Sequence, residues 1–155
     1  MEKNFFAKRA RVSLAYGLIL FMTALSGFAQ MPIFKRYYIA DIPGLGWLAD
    51  FFVTHYIHYA GAAALLFLFA YFSTAYLLAG PRRPALSRSS FARIALLAAL
   101  VLTGAFRVLK NLPDVVFSPG FTLFIDISHM AFAMFFLLAI AAFRLMKTGW
   151  LKSGR

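Results

Sequence analysis

The sequence predicts an all-α integral membrane protein: a four-helix up-and-down bundle, one transmembrane domain over residues 1–155, with both termini on the cytoplasmic side. Three observations predict it. Of 155 residues, 63% are apolar and the mean hydropathy is +0.78, whereas a soluble domain sits near 45–50% apolar and a chain this short has no interior to hide the excess. The apolar residues fall into four segments, each about the length that crosses a bilayer, separated by proline and glycine. The basic residues cluster at alternate ends of those segments.

The first span covers about residues 12–30, VSLAYGLILFMTALSGFAQ. Basic residues precede it, as they precede a secretory leader. It is longer than a leader's apolar region and no A-x-A site follows, so it reads as a retained helix. Pro32, Pro43-Gly44 and Gly46 then break the chain. The second span covers about 50–79 and ends at Gly80-Pro81 and Pro84. The third covers about 94–110, closed by Pro113, and the fourth, after Pro119-Gly120, about 121–146. Hydrocarbon requires every backbone group to be paired within the segment, so these spans are helices, and the alternation of a barrel strand is absent.

Charge fixes the expected orientation. Twelve basic residues lie before the first span (Lys3, Lys8, Arg9, Arg11), between the second and third (Arg82, Arg83, Arg88, Arg93) and after the fourth (Arg144, Lys147, Lys152, Arg155). Four lie at the opposite ends: Lys35, Arg36, Arg107 and Lys110. The richer side is the cytoplasmic one, which turns loops 31–49 and 111–120 outward. The net charge of +11 is thus a topology signal, not a nucleic-acid footprint. Cysteine is absent, which excludes disulfides, iron–sulfur ligation, covalently attached c-type haem and thiolate metal sites.

All three histidines, His55, His58 and His129, fall inside spans, where an ionisable side chain is costly and is a functional candidate by default. The second and fourth spans run in the same direction. His58 lies eight residues past Asp50 and His129 eight past Phe121, which puts both about 12 Å below their span starts at 1.5 Å per residue. Two imidazoles at one depth suit bis-histidine ligation of haem iron in a helical bundle. His55 shares a face with His58 at i, i+3. It is the alternative ligand, or a partner for a haem propionate or a quinone oxygen. A bare metal held by the HxxH pair with Asp126 and His129 is the competing chemical reading.

Small residues make room for a flat cofactor. Leu25-Ser26-Gly27 near the end of the first span and Leu102-Thr103-Gly104 in the third occupy similar places, each followed by a proline and then by a histidine-bearing span. This reads as a two-hairpin repeat that brings Gly27 and Gly104 beside the ligand helices. Arg107 is a candidate partner for a propionate. Asp126, three residues before His129, either pairs with Arg107 or serves with His55 and Lys110 as a quinone or proton site. Tyr37, Tyr38, Trp47 and Trp150 suit an interfacial belt.

These residues, LSG at 25–27, His55 and His58, LTG at 102–104 and His129, resemble the small bacterial membrane cytochrome b subunits that anchor formate dehydrogenases, thiosulfate reductases and some hydrogenases. The resemblance covers most of the chain but its motifs are sparse. It implies haem b, quinone as substrate, residence in the bacterial inner membrane, and an extracytoplasmic iron–sulfur or multihaem cytochrome partner alongside other membrane subunits. That family usually holds two haems on four histidines. With three histidines and none in the cytoplasmic half, one haem is expected here, unless Met22, Met134 or Met146 serves as a ligand for a second.

The chain carries no nucleotide motif and no catalytic residue set, so it is expected to act as a subunit and not to run a substrate reaction alone. Loop 31–49 is the expected docking surface for the redox partner. Two other functions account for part of the sequence. A haem-free anchor explains the size, the charge and the outer loop but not three histidines at one level. A small metal or solute transporter would show broken helices and polar residues at mid-membrane, but the inner halves, LLFLFAYF at 65–72 and FLLAIAAF at 136–143, offer no polar route.

Overall fold

The computed structural model describes residues 2–82 and 85–152, and the side chains of residues 12–81 and 85–152. Of the basic residues used for orientation, Arg83 and Arg155 lie outside the described residues, with the breaker Pro84, and so do the side chains of Lys3, Lys8, Arg9, Arg11 and Arg82. The described residues are helical apart from turns and one isolated bridge between Leu86 and Leu151. Among the described residues four helices are long and apolar enough to cross a membrane: Val12–Ala29, Phe51–Leu78, Arg88–Leu109 and Pro119–Leu145. The chain forms two compact units, Met1–Pro81 and Arg82–Arg155, each a helical hairpin.

In the first unit α1 (Glu2–Ala29) packs against a long helix, with a short helix α2 (Ile33–Arg36) and two 3-10 turns, Ile39–Asp41 and Gly46–Ala49, between them. The long helix is α3 (Phe51–Leu78), 28 residues, or about 42 Å at 1.5 Å per residue. Asp50 starts it as N-cap, accepting a hydrogen bond from Val53 N at 3.1 Å, which satisfies one of the open donors of the first turn. Gly80 ends it at φ +59°, the left-handed position that glycine takes just past a helix. The hairpin closes on small residues. At Gly61 a Cβ would collide with the Thr23 side chain, so the glycine sets how closely α1 and α3 approach.

In the second unit α4 (Arg88–Leu109) packs against α5 (Pro119–Leu145). Here α4 begins six residues before the apolar span does, because Ser87 is its N-cap and accepts from Ser90 N at 3.3 Å. Likewise Pro119 does not end a loop. It opens α5 behind the cap Ser118, where its fixed φ and missing N–H cost nothing. At the loop end Phe106, Phe117 and Phe121 meet edge to face, with centroids 5.2–6.2 Å apart. At the other end residues 148–150 are tied to the start of α4. Ser87 donates to Gly149 O at 2.7 Å, Ser90 bonds Trp150 O, and Arg93 donates to Thr148 O at 2.9 Å. The Arg93 guanidinium lies 4.9 and 5.0 Å from the ring centroids of Phe143 and Trp150, within cation–π range. Trp150, expected in an interfacial belt, thus packs on a buried arginine.

Burial is inverted relative to a soluble protein. Among the described residues the buried polar or charged ones are Thr23, Ser26, Thr54, Ser89, Ser90, Arg93 and Thr103, against four buried apolar ones, Ala29, Leu48, Ile125 and Phe136. Large apolar side chains face outward, Leu78 at 82% exposure and Phe67 at 69%. The buried hydroxyls bond back to their own helix: Thr23 to Ile19 O and Ser26 to Met22 O at 2.7 Å, Thr103 to Ala99 O at 2.8 Å, Thr54 to Asp50 O at 2.9 Å. Polar and small groups at the seam with apolar bulk outside is the arrangement suited to hydrocarbon surroundings, and it marks a multi-pass membrane protein.

Candidate functional site

Each hairpin holds one histidine against one glycine. In the first, the His58 ring lies over Gly27. A Cβ placed on Gly27 would stand 2.9 Å from His58 Cε1 and 3.1 Å from Nδ1, closer than real Cβ contacts allow. His58 Nδ1 is 2.8 Å from Thr23 O. A carbonyl only accepts, so Nδ1 carries the hydrogen, and in a neutral ring the lone pair is then on Nε2. The same carbonyl also accepts from Ser26 Oγ at 3.1 Å. The acceptor is therefore a backbone atom fixed by the helix itself.

The second hairpin repeats the relation with a side chain. A Cβ on Gly104 would lie 3.3 Å from His129 Cε1. Thr103 Oγ1 is 3.0 Å from His129 Nδ1 and 2.8 Å from Ala99 O. The hydroxyl donates its one hydrogen to the carbonyl, so toward the imidazole it accepts. Again Nδ1 is the donor and Nε2 the basic nitrogen. Both rings present the tautomer that ligates metals through Nε2, oriented by a hydrogen bond from the other nitrogen.

His55 is placed differently. One turn from His58, it stacks on Phe51 (centroids 5.3 Å apart, planes 23°) and leans on Tyr59 (4.2 Å, 50°). Its Nδ1 is buried with no hydrogen-bond partner, as is the amide nitrogen of Gln30. In the second hairpin Arg107, Lys110 and Asp126 come together. Arg107 Nε is 3.0 Å from Asp126 Oδ1, and Lys110 Nζ is 2.8 Å from both carboxylate oxygens. The pairing of Asp126 with Arg107, one of two roles read from the sequence, is present. Arg107 therefore holds a carboxylate within its own hairpin.

The spacing extends the repeat. Gln30 follows Gly27 by three residues as Arg107 follows Gly104, and His55 precedes His58 by three as Asp126 precedes His129. The depths of the two histidines differ when counted from the helix starts. His58 is the eighth residue of α3 and His129 the eleventh of α5. The second hairpin is one turn longer at its loop end, where Pro119 begins the helix instead of interrupting it. Measured against the partner glycine the two are equivalent.

Thr23 and Gln30 carry this geometry and went unread in the sequence. A backbone acceptor leaves no signal in residue type, and Gln30 becomes visible only when the two hairpins are aligned on their glycines. Among the described residues no three His, Asp or Glu side chains cluster as ligands for a bare metal ion. In loop 31–49 Tyr37 and Tyr38 are exposed at 65% and 75%, beside Lys35, Arg36 and Asp41. No protein-family model, no curated protein and no solved structure matches the chain.

Proposed function

We propose that this chain is a membrane b-type cytochrome subunit. It passes electrons between the quinone pool and an extracytoplasmic redox partner, an iron–sulfur or multihaem cytochrome subunit. The observation that carries the reading is the matched pair of histidines, each laid on a glycine and each with Nδ1 held as a donor. A histidine that merely fills a core has no need of a glycine cradle and a fixed tautomer occurring twice.

One haem b is proposed, with His58 and His129 as axial ligands and His55 as the alternative to His58. The residues fit such a group: the tautomers leave Nε2 as the basic nitrogen, and Gly27 and Gly104 are positions where a side chain would displace the ring. When bound, haem supplies a one-electron centre to a two-electron, two-proton quinone couple. The protein's own part is positional. Thr23 O and Thr103 Oγ1 orient the imidazoles and raise their basicity as ligands. The apolar exterior of α3 and α5 contacts lipid. Asp126 with Lys110, and His55, are the groups able to hold or exchange protons with quinone.

We place the protein in the bacterial inner membrane with both termini cytoplasmic, on the distribution of Lys and Arg. Loop 31–49 then meets the redox partner, with other membrane subunits alongside. The test is a pyridine haemochrome assay on protein purified from membranes of haem-replete cells. The expected result is a b-type spectrum at one haem per chain. A colourless, monodisperse protein would overturn the reading in favour of a haem-free anchor.

A further inference from the structure

Three charged side chains meet at the loop end of the second hairpin, and their charges do not balance. Arg107, in the last turn of α4, and Lys110, its C-cap, share the single carboxylate of Asp126 on α5. Lys110 Nζ donates to both carboxylate oxygens at 2.8 Å. Arg107 comes nearest through Nε, 3.0 Å from Oδ1, and among the described residues its two terminal amino groups make no hydrogen bond. Asp114, in the loop, forms an ion pair with neither cation. The negative end of the α4 dipole and the positive end of the α5 dipole lie together here and offset each other. One positive charge is left over.

The position of that charge selects its partner. It sits where two candidate membrane spans meet their loop, and an uncompensated cation beside hydrocarbon is costly. The three side chains are partly exposed. Leu123 and Met130, three before and four after Asp126, share its face of α5 and are exposed as well. The surface thus joins a cationic head to an apolar strip. The free amino groups of an arginine are the donor fork that grips two oxygens of one phosphate. A small soluble anion would use the head and leave the strip bare, whereas a neutral apolar molecule would leave the charge unmet. A phospholipid meets both. The first hairpin has no such excess, because Gln30, Ile33 and His55 stand where the second has Arg107, Lys110 and Asp126.

We propose that Arg107 and Lys110 hold the phosphodiester of one phospholipid head group, with an acyl chain along the strip that Leu123 and Met130 form on α5. Paired basic side chains at the end of membrane helices are a recurrent means of binding lipid phosphate. Asp126 competes with the phosphate for the two cations, so it weakens the site that it helps to line. The proposal needs only a hairpin in a membrane and stands apart from the electron-transfer reading.

The test uses the purified, delipidated full-length protein in detergent, titrated with dioleoylphosphatidylglycerol and followed by native mass spectrometry. Dioleoylglycerol, which has the same chains without the phosphate, and sodium phosphate are the comparison probes. The wild type is expected to hold one phosphatidylglycerol tightly, to take up no dioleoylglycerol, and to keep its lipid in the presence of phosphate. Arg107→Gln and Lys110→Gln are each expected to raise Kd about ten-fold, the equivalent of one lost charge-assisted hydrogen bond at 1.4 kcal/mol per decade. Asp126→Asn is expected to lower Kd, because it frees both cations, and Arg144→Gln, at the far end of α5, to leave it unchanged. Equal uptake of dioleoylglycerol, weaker binding in Asp126→Asn, or a loss in Arg144→Gln as large as in Arg107→Gln overturns the site. Displacement by phosphate as readily as by lipid makes it a free-anion site and overturns the lipid assignment. Haem content is measured on the same samples: Arg107→Gln protein that loses haem and keeps its lipid assigns the guanidinium to a propionate and overturns the proposal. The wild-type comparison of the two dioleoyl probes decides the matter if a variant does not fold.

Discussion

His58 donates its Nδ1 hydrogen to the carbonyl oxygen of Thr23 at 2.8 Å, across the seam between α1 and α3. That bond fixes which nitrogen is basic, and it cannot be removed by changing Thr23, because the acceptor is backbone. The ring is therefore the thing to change. His58→Ala and His129→Ala are each expected to abolish the b-type absorbance, while His55→Ala, which removes a ring with no bonded Nδ1, retains it. Reduced-minus-oxidised spectra of purified variants check this. Normal spectra after loss of His129 would refute the ligand assignment.

The second histidine offers what the first withholds, an acceptor on a side chain. Thr103→Val preserves shape and removes the oxygen that accepts from His129 Nδ1. The imidazole then has an unmet N–H, at a cost of about 1–3 kcal/mol, and comparable partner losses around metal ligands lower affinity about 10–100-fold. Thr103→Ser keeps the hydroxyl. Haem retention during dialysis should fall for valine and not for serine, and equal retention in both would show that the hydroxyl does not orient the ring.

The glycines make a graded prediction. An alanine Cβ at position 27 would meet the His58 ring at 2.9 Å, and one at position 104 would meet the His129 ring at 3.3 Å. Overpacking of this kind costs typically about 1–3 kcal/mol. Gly27→Ala should therefore lower both haem content and Tm by more than Gly104→Ala. Differential scanning fluorimetry in detergent gives the order, and the reverse order would mean that the rings do not rest on these residues.

How much of this was legible in the sequence follows from the physics of each feature. The four helices were, because length and hydropathy alone set them. Their starts were not. The third apolar span begins near residue 94, yet the helix begins at Arg88, because Ser87 caps it and Arg93 is buried against Phe143 and Trp150 with a bond to Thr148 O. Pro119 looked like a breaker because proline breaks helix interiors, but at N1 it starts one. The two L-[S/T]-G motifs pointed correctly to glycines beside histidines within each hairpin. The Thr23 carbonyl left no trace, since every residue has one. The empty partnership of Gln30 and His55 shows only against the filled one of Arg107 and Asp126.

That filled partnership makes an asymmetric prediction. Asp126 faces two cations, Arg107 at 3.0 Å and Lys110 at 2.8 Å, with side chains between 21% and 38% exposed. Removing either cation leaves the carboxylate one partner, whereas Asp126→Asn leaves two cations facing each other with no counter-charge. Exposed pairs are worth about 0–1 kcal/mol because water screens them, so Arg107→Gln and Lys110→Gln should each move Tm little. Asp126→Asn should lower it more than either, through like-charge repulsion in addition to lost attraction. Because salt screens that repulsion, raising the ionic strength from 0.05 to about 0.5 M should recover part of the Asp126→Asn deficit. Thermal unfolding in detergent at the two salt concentrations reads this directly. A deficit no larger than that of Arg107→Gln, and indifferent to salt, would mean that the carboxylate does not hold the loop end of α4 to α5.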